Sequence, residues 1–254
     1  MNLLRLLNMG VQIYVARAGL FMIAGLLLAI TTLVSFGFGI SFILLDGLIA
    51  LYLGPGGTWI SNPVALIAIL ASTVACGLSI TLLLFPSIGA FMHTCAEIGS
   101  GSRDIGIMEH LQYLQNNMVK LWLVGLCWQA VAFAPMAFIL IASVLLKEQI
   151  GDILTVLGIS VALFVWMMAQ FPFWLAFPAY IVKKGGVRAS LKNSLVTSIR
   201  NPLSSAAILI LIYILFIVPS VSFIFYPIYF FLIFTPFAAT ISLAYYEAAV
   251  GMLK

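Results

Sequence analysis

Charge is scarce in this chain. Its 254 residues hold seven acidic and eleven basic side chains, 7% in all, where a water-soluble domain carries about 25%. So small a supply cannot cover a surface that faces water, which excludes an ordinary soluble domain. Cysteine is scarce too. Cys76, Cys95 and Cys127 are an odd three with no Cys-x-x-Cys pair, which argues against a disulfide framework and against a zinc site. No Asn-x-Ser/Thr acceptor occurs with x other than Pro. Gly99-Ser100-Gly101-Ser102-Arg103 lacks the Gly-Lys-Ser/Thr ending of a phosphate loop and reads as a flexible hinge. There is no His-Glu-x-x-His, no nucleophile–base pair and no converging set of carboxylates. No catalytic residue, metal or cofactor is therefore expected, and an enzyme is the least favoured class.

Apolar residues are plentiful, at 64% of the chain. Lipid must be the solvent for most of them. The fold class expected is all-α: a polytopic integral membrane protein with six transmembrane helices in three hairpins, one domain over residues 1–254. A span needs about 20 apolar residues, and the predicted spans are 18–45, 64–96, 121–146, 153–182, 203–218 and 221–249. The first apolar run is too long for a cleavable signal peptide and is expected to stay in the membrane. Gly54-Pro55-Gly56-Gly57, Asn62-Pro63 and Pro219-Ser220 carry turn chemistry, and Trp59 suits an outer aromatic belt. Lys147, Glu148 and Asp152 make a short outer turn.

Three amphipathic stretches are predicted to lie on the membrane surface: 1–17, 106–118 and 187–200. In the second, Ile107, Leu111, Leu114 and Met118 form the apolar stripe. In the third, Val187, Leu191, Leu195 and Ile199 do so, opposite Arg188, Lys192 and Arg200, and Asn201-Pro202 ends it. Counting cations orients the chain. Arg5, Arg17, Arg103, Lys120, Lys183, Lys184, Arg188, Lys192, Arg200 and Lys254 fall on one side and only Lys147 on the other. By the positive-inside rule both termini are expected in the cytoplasm, with the protein in the cell membrane. The pI near 9.0 reflects this rule, so no nucleic-acid partner is expected.

The even-numbered spans each carry a proline: Pro86, Pro178 and Pro236. Glu97 follows Pro86 by eleven residues and Glu247 follows Pro236 by eleven, about three helical turns; Ala189 stands at that place in the middle copy. This suggests an internal repeat of three hairpins. The pattern of Phe85-Pro86, Phe177-Pro178 and Thr235-Pro236, followed by surface helices such as Val187–Arg200, resembles a bacterial and archaeal group of membrane proteins. That group includes the YciC-like and YesL-like proteins and the membrane domain of some glycerophosphodiester phosphodiesterases. The resemblance implies an architecture and an association with transport or envelope systems, and supplies no catalytic residues.

Among individual residues, His93 and Glu97 are four apart on one helix face. They read as an interfacial pair orienting a helix end, against metal binding or proton shuttling at the inner mouth. Glu97 and Glu247 either converge as a coupling site or make structural ion pairs with nearby cations. Asp46 is expected at the membrane interface. Gln129, inside the third span, reads as hydrogen-bonded between helices, with a substrate contact as the rival. Lys183, Lys184, Arg188, Lys192 and Arg200 are expected on anionic head groups, with a cytoplasmic protein as the rival partner. The expected role is a subunit or scaffold of a membrane assembly, contacting membrane proteins or further copies of itself through small-residue faces such as Ala238/Ser242/Ala249. The alternative is a permease or transport-associated component for a small or lipid-like solute.

Overall fold

In hydrocarbon, every backbone N–H and C=O must be satisfied within the chain. The computed structural model meets that demand with helices alone; no strand occurs among the described residues, which are 3–53, 63–100, 107–145, 147–217 and 226–251. The helices are α1 (Leu3–Ala16), α2 (Ala18–Leu53), α3 (Pro63–Ser100), α4 (Ile107–Leu145), α5 (Lys147–Gln170), α6 (Ala176–Lys183), α7 (Val187–Arg200), α8 (Pro202–Ile217), α9 (Tyr226–Tyr229) and α10 (Thr235–Gly251). A π-turn, Phe230–Phe234, joins α9 to α10. Among the described residues, four helices are long and apolar enough to cross a membrane, or five if α7 and α8 count as one bent span.

Several boundaries differ from the sequence reading. Residues 107–145 form one helix, so the amphipathic stretch and the third span are a single rod; no Pro or Gly lies between Met118 and Leu121 to part them. Asp46 lies inside α2, which runs on to Leu53. There it takes a hydrogen bond from Thr73 of α3 at 3.4 Å. The fourth span is broken. Helix α5 ends at Gln170, residues 171–175 form turns, and α6 resumes at Ala176. Lys147, Glu148 and Asp152, expected in a turn, fall within α5, which kinks at Gly151, whose φ of 75° and ψ of 170° suit glycine. The expected turns at 54–62, 101–106 and 218–225 lie outside the described residues.

The core sits toward the α7 end of the molecule. Phe21, Ala24 and Leu28 of α2 pack there with Phe85, Phe91 and Ile98 of α3, Leu121 and Val124 of α4, Phe177 and Tyr180 of α6, and Leu243 of α10. A second cluster joins Trp174, Leu175, Ile208 of α8, and Ile241, Tyr245 and Tyr246 of α10. Helix α10 is the hub: residues 239 to 246 are all buried. That includes Ser242, and Ala249 is buried as well. The small-residue face expected to meet a partner is thus largely spent on packing within the chain.

Both described amphipathic stretches, at the start of α4 and in α7, turn polar groups toward the protein. In α4, His110 is buried while Ile107 and Leu111 are exposed. In α7, Ser190, Ser194, Thr197 and Ser198 make the buried face. The apolar stripe of α7 lies beside that face, with Ile199 exposed at its end. A third face carries Arg188, Lys192 and Arg200, all exposed. Helix α7 meets α8 at 104° across Asn201-Pro202.

Candidate functional site

The three prolines singled out in the sequence are accommodated in three ways. Pro178 lies in the first turn of α6, where a helix has no use for that N–H. Pro86 is buried inside an unbroken α3, and next to it Ser87 donates its hydroxyl to the Leu83 carbonyl at 2.7 Å. Pro236 is the case that reshapes the backbone. Its ring has no N–H for the Leu232 carbonyl and crowds it, and the helix widens just before it: the Thr235 N–H reaches back five residues to Phe230 O. Two carbonyls are freed and each finds a donor. Thr235 Oγ1 donates to Phe231 O at 3.0 Å. Tyr14 Oη, from α1, donates to Leu232 O at 2.9 Å. Burial holds the Tyr14 phenol above its ordinary pKa, so at neutral pH it keeps that proton. The Tyr14 ring stacks on Phe21 at 5.5 Å and meets Phe237 edge-on at 6.3 Å. Gly25 of α2 completes the arrangement, because any Cβ there would run into the Phe231 carbonyl.

A polar cluster lies where α3, α4 and α6 meet. His93 Nε2 faces Glu97 Oε1 at 3.8 Å, as the spacing of four anticipates. The rest of the cluster comes from α4. The His93 ring stacks on Tyr113 with centroids 3.6 Å apart. Thr94 Oγ1 and His110 Nδ1 lie 2.8 Å apart in the buried layer. Asn117 donates to the Tyr113 carbonyl at 3.1 Å and accepts from the Tyr180 hydroxyl of α6 at 3.4 Å. Sequence reasoning missed His110, Tyr113 and Asn117. The spacing of 110, 113, 117 and 121 is helical and ends on buried Leu121, a signal obscured by the more conspicuous apolar stripe beside it. No group of three or more potential metal ligands occurs among the described residues.

The other candidates are dispersed. Glu247 is exposed on α10, unlike half-buried Glu97. Gln129 accepts a hydrogen bond from Gln170 Nε2 of α5 at 3.3 Å, an interhelical bond as expected, but Gln170 is the more deeply buried of the two. Lys183, Lys184, Arg188, Lys192 and Arg200 are all exposed around α7. The hydroxyl face of α7 is tied to the break after α5, where Ser194 donates to the Pro172 carbonyl at 3.0 Å. At the α7–α8 elbow, Ser205 and the Tyr245 hydroxyl are 2.6 Å apart. Trp174 stacks on Tyr245 at 5.8 Å. No family model matches this chain, and neither a curated protein nor a solved structure does.

Proposed function

We propose that this chain is a non-catalytic, multi-pass subunit or scaffold of a membrane assembly. It crosses the cell membrane six times, by α2, α3, α4, α5–α6, α8 and α9–α10, with both termini in the cytoplasm. The observation that carries this reading is the bare flank of the α2–α3 hairpin. Along its first half α3 is exposed at Val64, Ile67, Ala71, Val74 and Leu78 and packs against α2, and an open apolar groove runs along Ile67, Ala71, Val74, Ala75 and Leu78. Small residues along such a groove let another helix approach closely. The cations of α7 face anionic head groups on the cytoplasmic side, an attraction of about 1 kcal/mol per charge. The 104° elbow lays α7 along that surface when α8 crosses. At sixteen residues α8 spans about 24 Å, so the bilayer thins or the elbow sinks there.

A photo-crosslinking residue at Val74 tests the role in native membranes. The subunit reading expects a discrete adduct with another membrane protein or with a second copy of the chain. Adducts with lipid alone, from a purified monomer that moves a solute into liposomes, would overturn it. That second outcome belongs to the rival reading, a permease or transport-associated component for a small or lipid-like solute. Two observations favour it: the π-turn beside Pro236 and the broken helix at 171–175. Interrupted membrane helices of this kind are where transporters place their substrates, and π-turns gather at functional sites.

A further inference from the structure

We propose that the end of the α3–α4 seam nearest α6 is a pH-sensitive latch, closed while His93 and His110 are neutral and loosened when His110 takes a second proton. The chain holds only two histidines, and the fold brings them together from two helices. Histidine is the side chain whose ordinary pKa lies between pH 5 and 8. Thr94, next to His93 on α3, donates its hydroxyl to Ala90 O at 3.0 Å. Its oxygen lies 2.8 Å from His110 Nδ1. A hydroxyl has one proton to give, so Thr94 accepts from His110, and Nδ1 carries the imidazole proton. One proton satisfies this contact. A second goes to Nε2 of a residue only 3% exposed.

The groups around the pair come from several helices. On α3, Glu97 faces His93 at 3.8 Å and answers a charge there. On α4, Tyr113 covers the His93 ring, and Glu109 is exposed. From α6, the Tyr180 hydroxyl reaches Asn117, and Lys184 is near enough to act on His93. Helix α7 packs on α4 but leaves Arg188 and Lys192 exposed. Helices α2 and α10 add only Asp46, far along the hairpin, and exposed Glu247. Burial, and then His93 beside it, hold the His110 imidazole below its ordinary pKa. Above about pH 6.5 His110 is neutral whether the seam is closed or open. Below it, an open seam takes up a proton that the closed seam resists, so acid favours opening.

The latch is confined to this end. Beyond it the helices interlock: Leu121 lies against Gly89 and Phe85 against Gly125, with no room for a Cβ at either glycine. Trp122 Nε1 donates to Thr81 Oγ1 there at 3.2 Å. Helix α4 has 39 residues and is about 58 Å long, too long to lie wholly in about 30 Å of hydrocarbon. Its polar start, with His110, is the part suited to water. With both termini in the cytoplasm, as proposed, this end faces the cytoplasm too, and cytoplasmic acid is the signal. The latch needs neither a partner nor a solute, so it holds for a subunit and for a permease.

The test uses the full chain in phosphatidylcholine nanodiscs with spin labels at Ser100 and Gln112, attached through ketone-bearing residues so that the native cysteines stay unlabelled. A control pair sits at Leu78 and Val131, beyond the latch. At pH 7.5 the first pair is expected to give one short distance. Below about pH 6.5 a longer, broader component is expected to grow, its ratio to the short one rising at most tenfold per pH unit, the slope of one proton. The control pair is expected to stay constant. His110→Asn keeps a donor in place of Nδ1 and cannot charge; it is expected to stay closed to pH 5.5. His93→Asn is expected to keep the response. A response lost in His93→Asn and kept in His110→Asn overturns the proposal. So does a wild-type distance that is constant from pH 7.5 to 5.5, or one that changes equally in both pairs, even if neither variant folds.

Discussion

The two ends of this molecule treat their polar groups differently. Toward α7, hydroxyls and rings reach across to other helices: Tyr14 to Leu232, Thr94 to His110, Tyr180 to Asn117, Ser194 to Pro172 and Ser205 to Tyr245. Toward the tips of the α2–α3 and α4–α5 hairpins, hydroxyls fold back on their own helix. Ser41 bonds Gly37 O, Ser143 bonds Ile139 O and Ser160 bonds Val156 O, each four residues back. Those helices then present almost only carbon outward, as at Leu33, Leu51, Phe138 and Leu163, all exposed. The first end is a packed interior whose polar contacts specify which helix meets which. The second is a surface suited to hydrocarbon, where a donor satisfied within its own helix costs nothing to expose.

Substitutions can break or sharpen that contrast. The largest effect is expected for Gly25→Leu. Its side chain meets the Phe231 backbone, which cannot give way, so unfolding in detergent should show a loss of roughly 3 kcal/mol. Gly37→Leu on the same helix meets nothing within 4 Å and should leave stability unchanged; equal losses at both sites would erase the distinction between the two ends. Next comes Tyr14→Phe, which strands the Leu232 carbonyl. It should cost about 1 to 2 kcal/mol and speed amide exchange in the π-turn ahead of the rest of α10. Thr94→Val removes the partner of His110 and should cost about 1 kcal/mol, read by the same unfolding measurement. Phe138→Ala, at 76% exposure, should cost within about 0.5 kcal/mol, because the ring makes few contacts within the chain.

Local signals in the sequence foretold part of this. The stop at Asn201-Pro202, the bounds of α7, the end of α1 near Arg17 and the His93–Glu97 spacing are each set by a few adjacent residues. What depended on distant contacts was not legible. Pro236 announces a defect in its helix, but the π-turn that resolves it needs Tyr14 from α1 and the bare backbone of Gly25. Gln129 could be read as a hydrogen-bonded residue, whereas its partner Gln170 sits beyond a reversal in the chain. Small residues at Ser242 and Ala249 permit close packing in either direction, and only the tertiary arrangement turns them inward. The hydroxyl face of α7 went unread because Ser and Thr signal neither burial nor exposure by themselves. In α7 they serve as interior contacts.

The hydrocarbon-facing character of the hairpin tips is most directly tested by spin labels at Phe138 and at Lys192. With the chain in a bilayer, the label at 138 should collide readily with dissolved oxygen and be shielded from a water-soluble nickel complex. The label at 192 should show the reverse. A nickel complex that reaches both positions equally well would contradict the account.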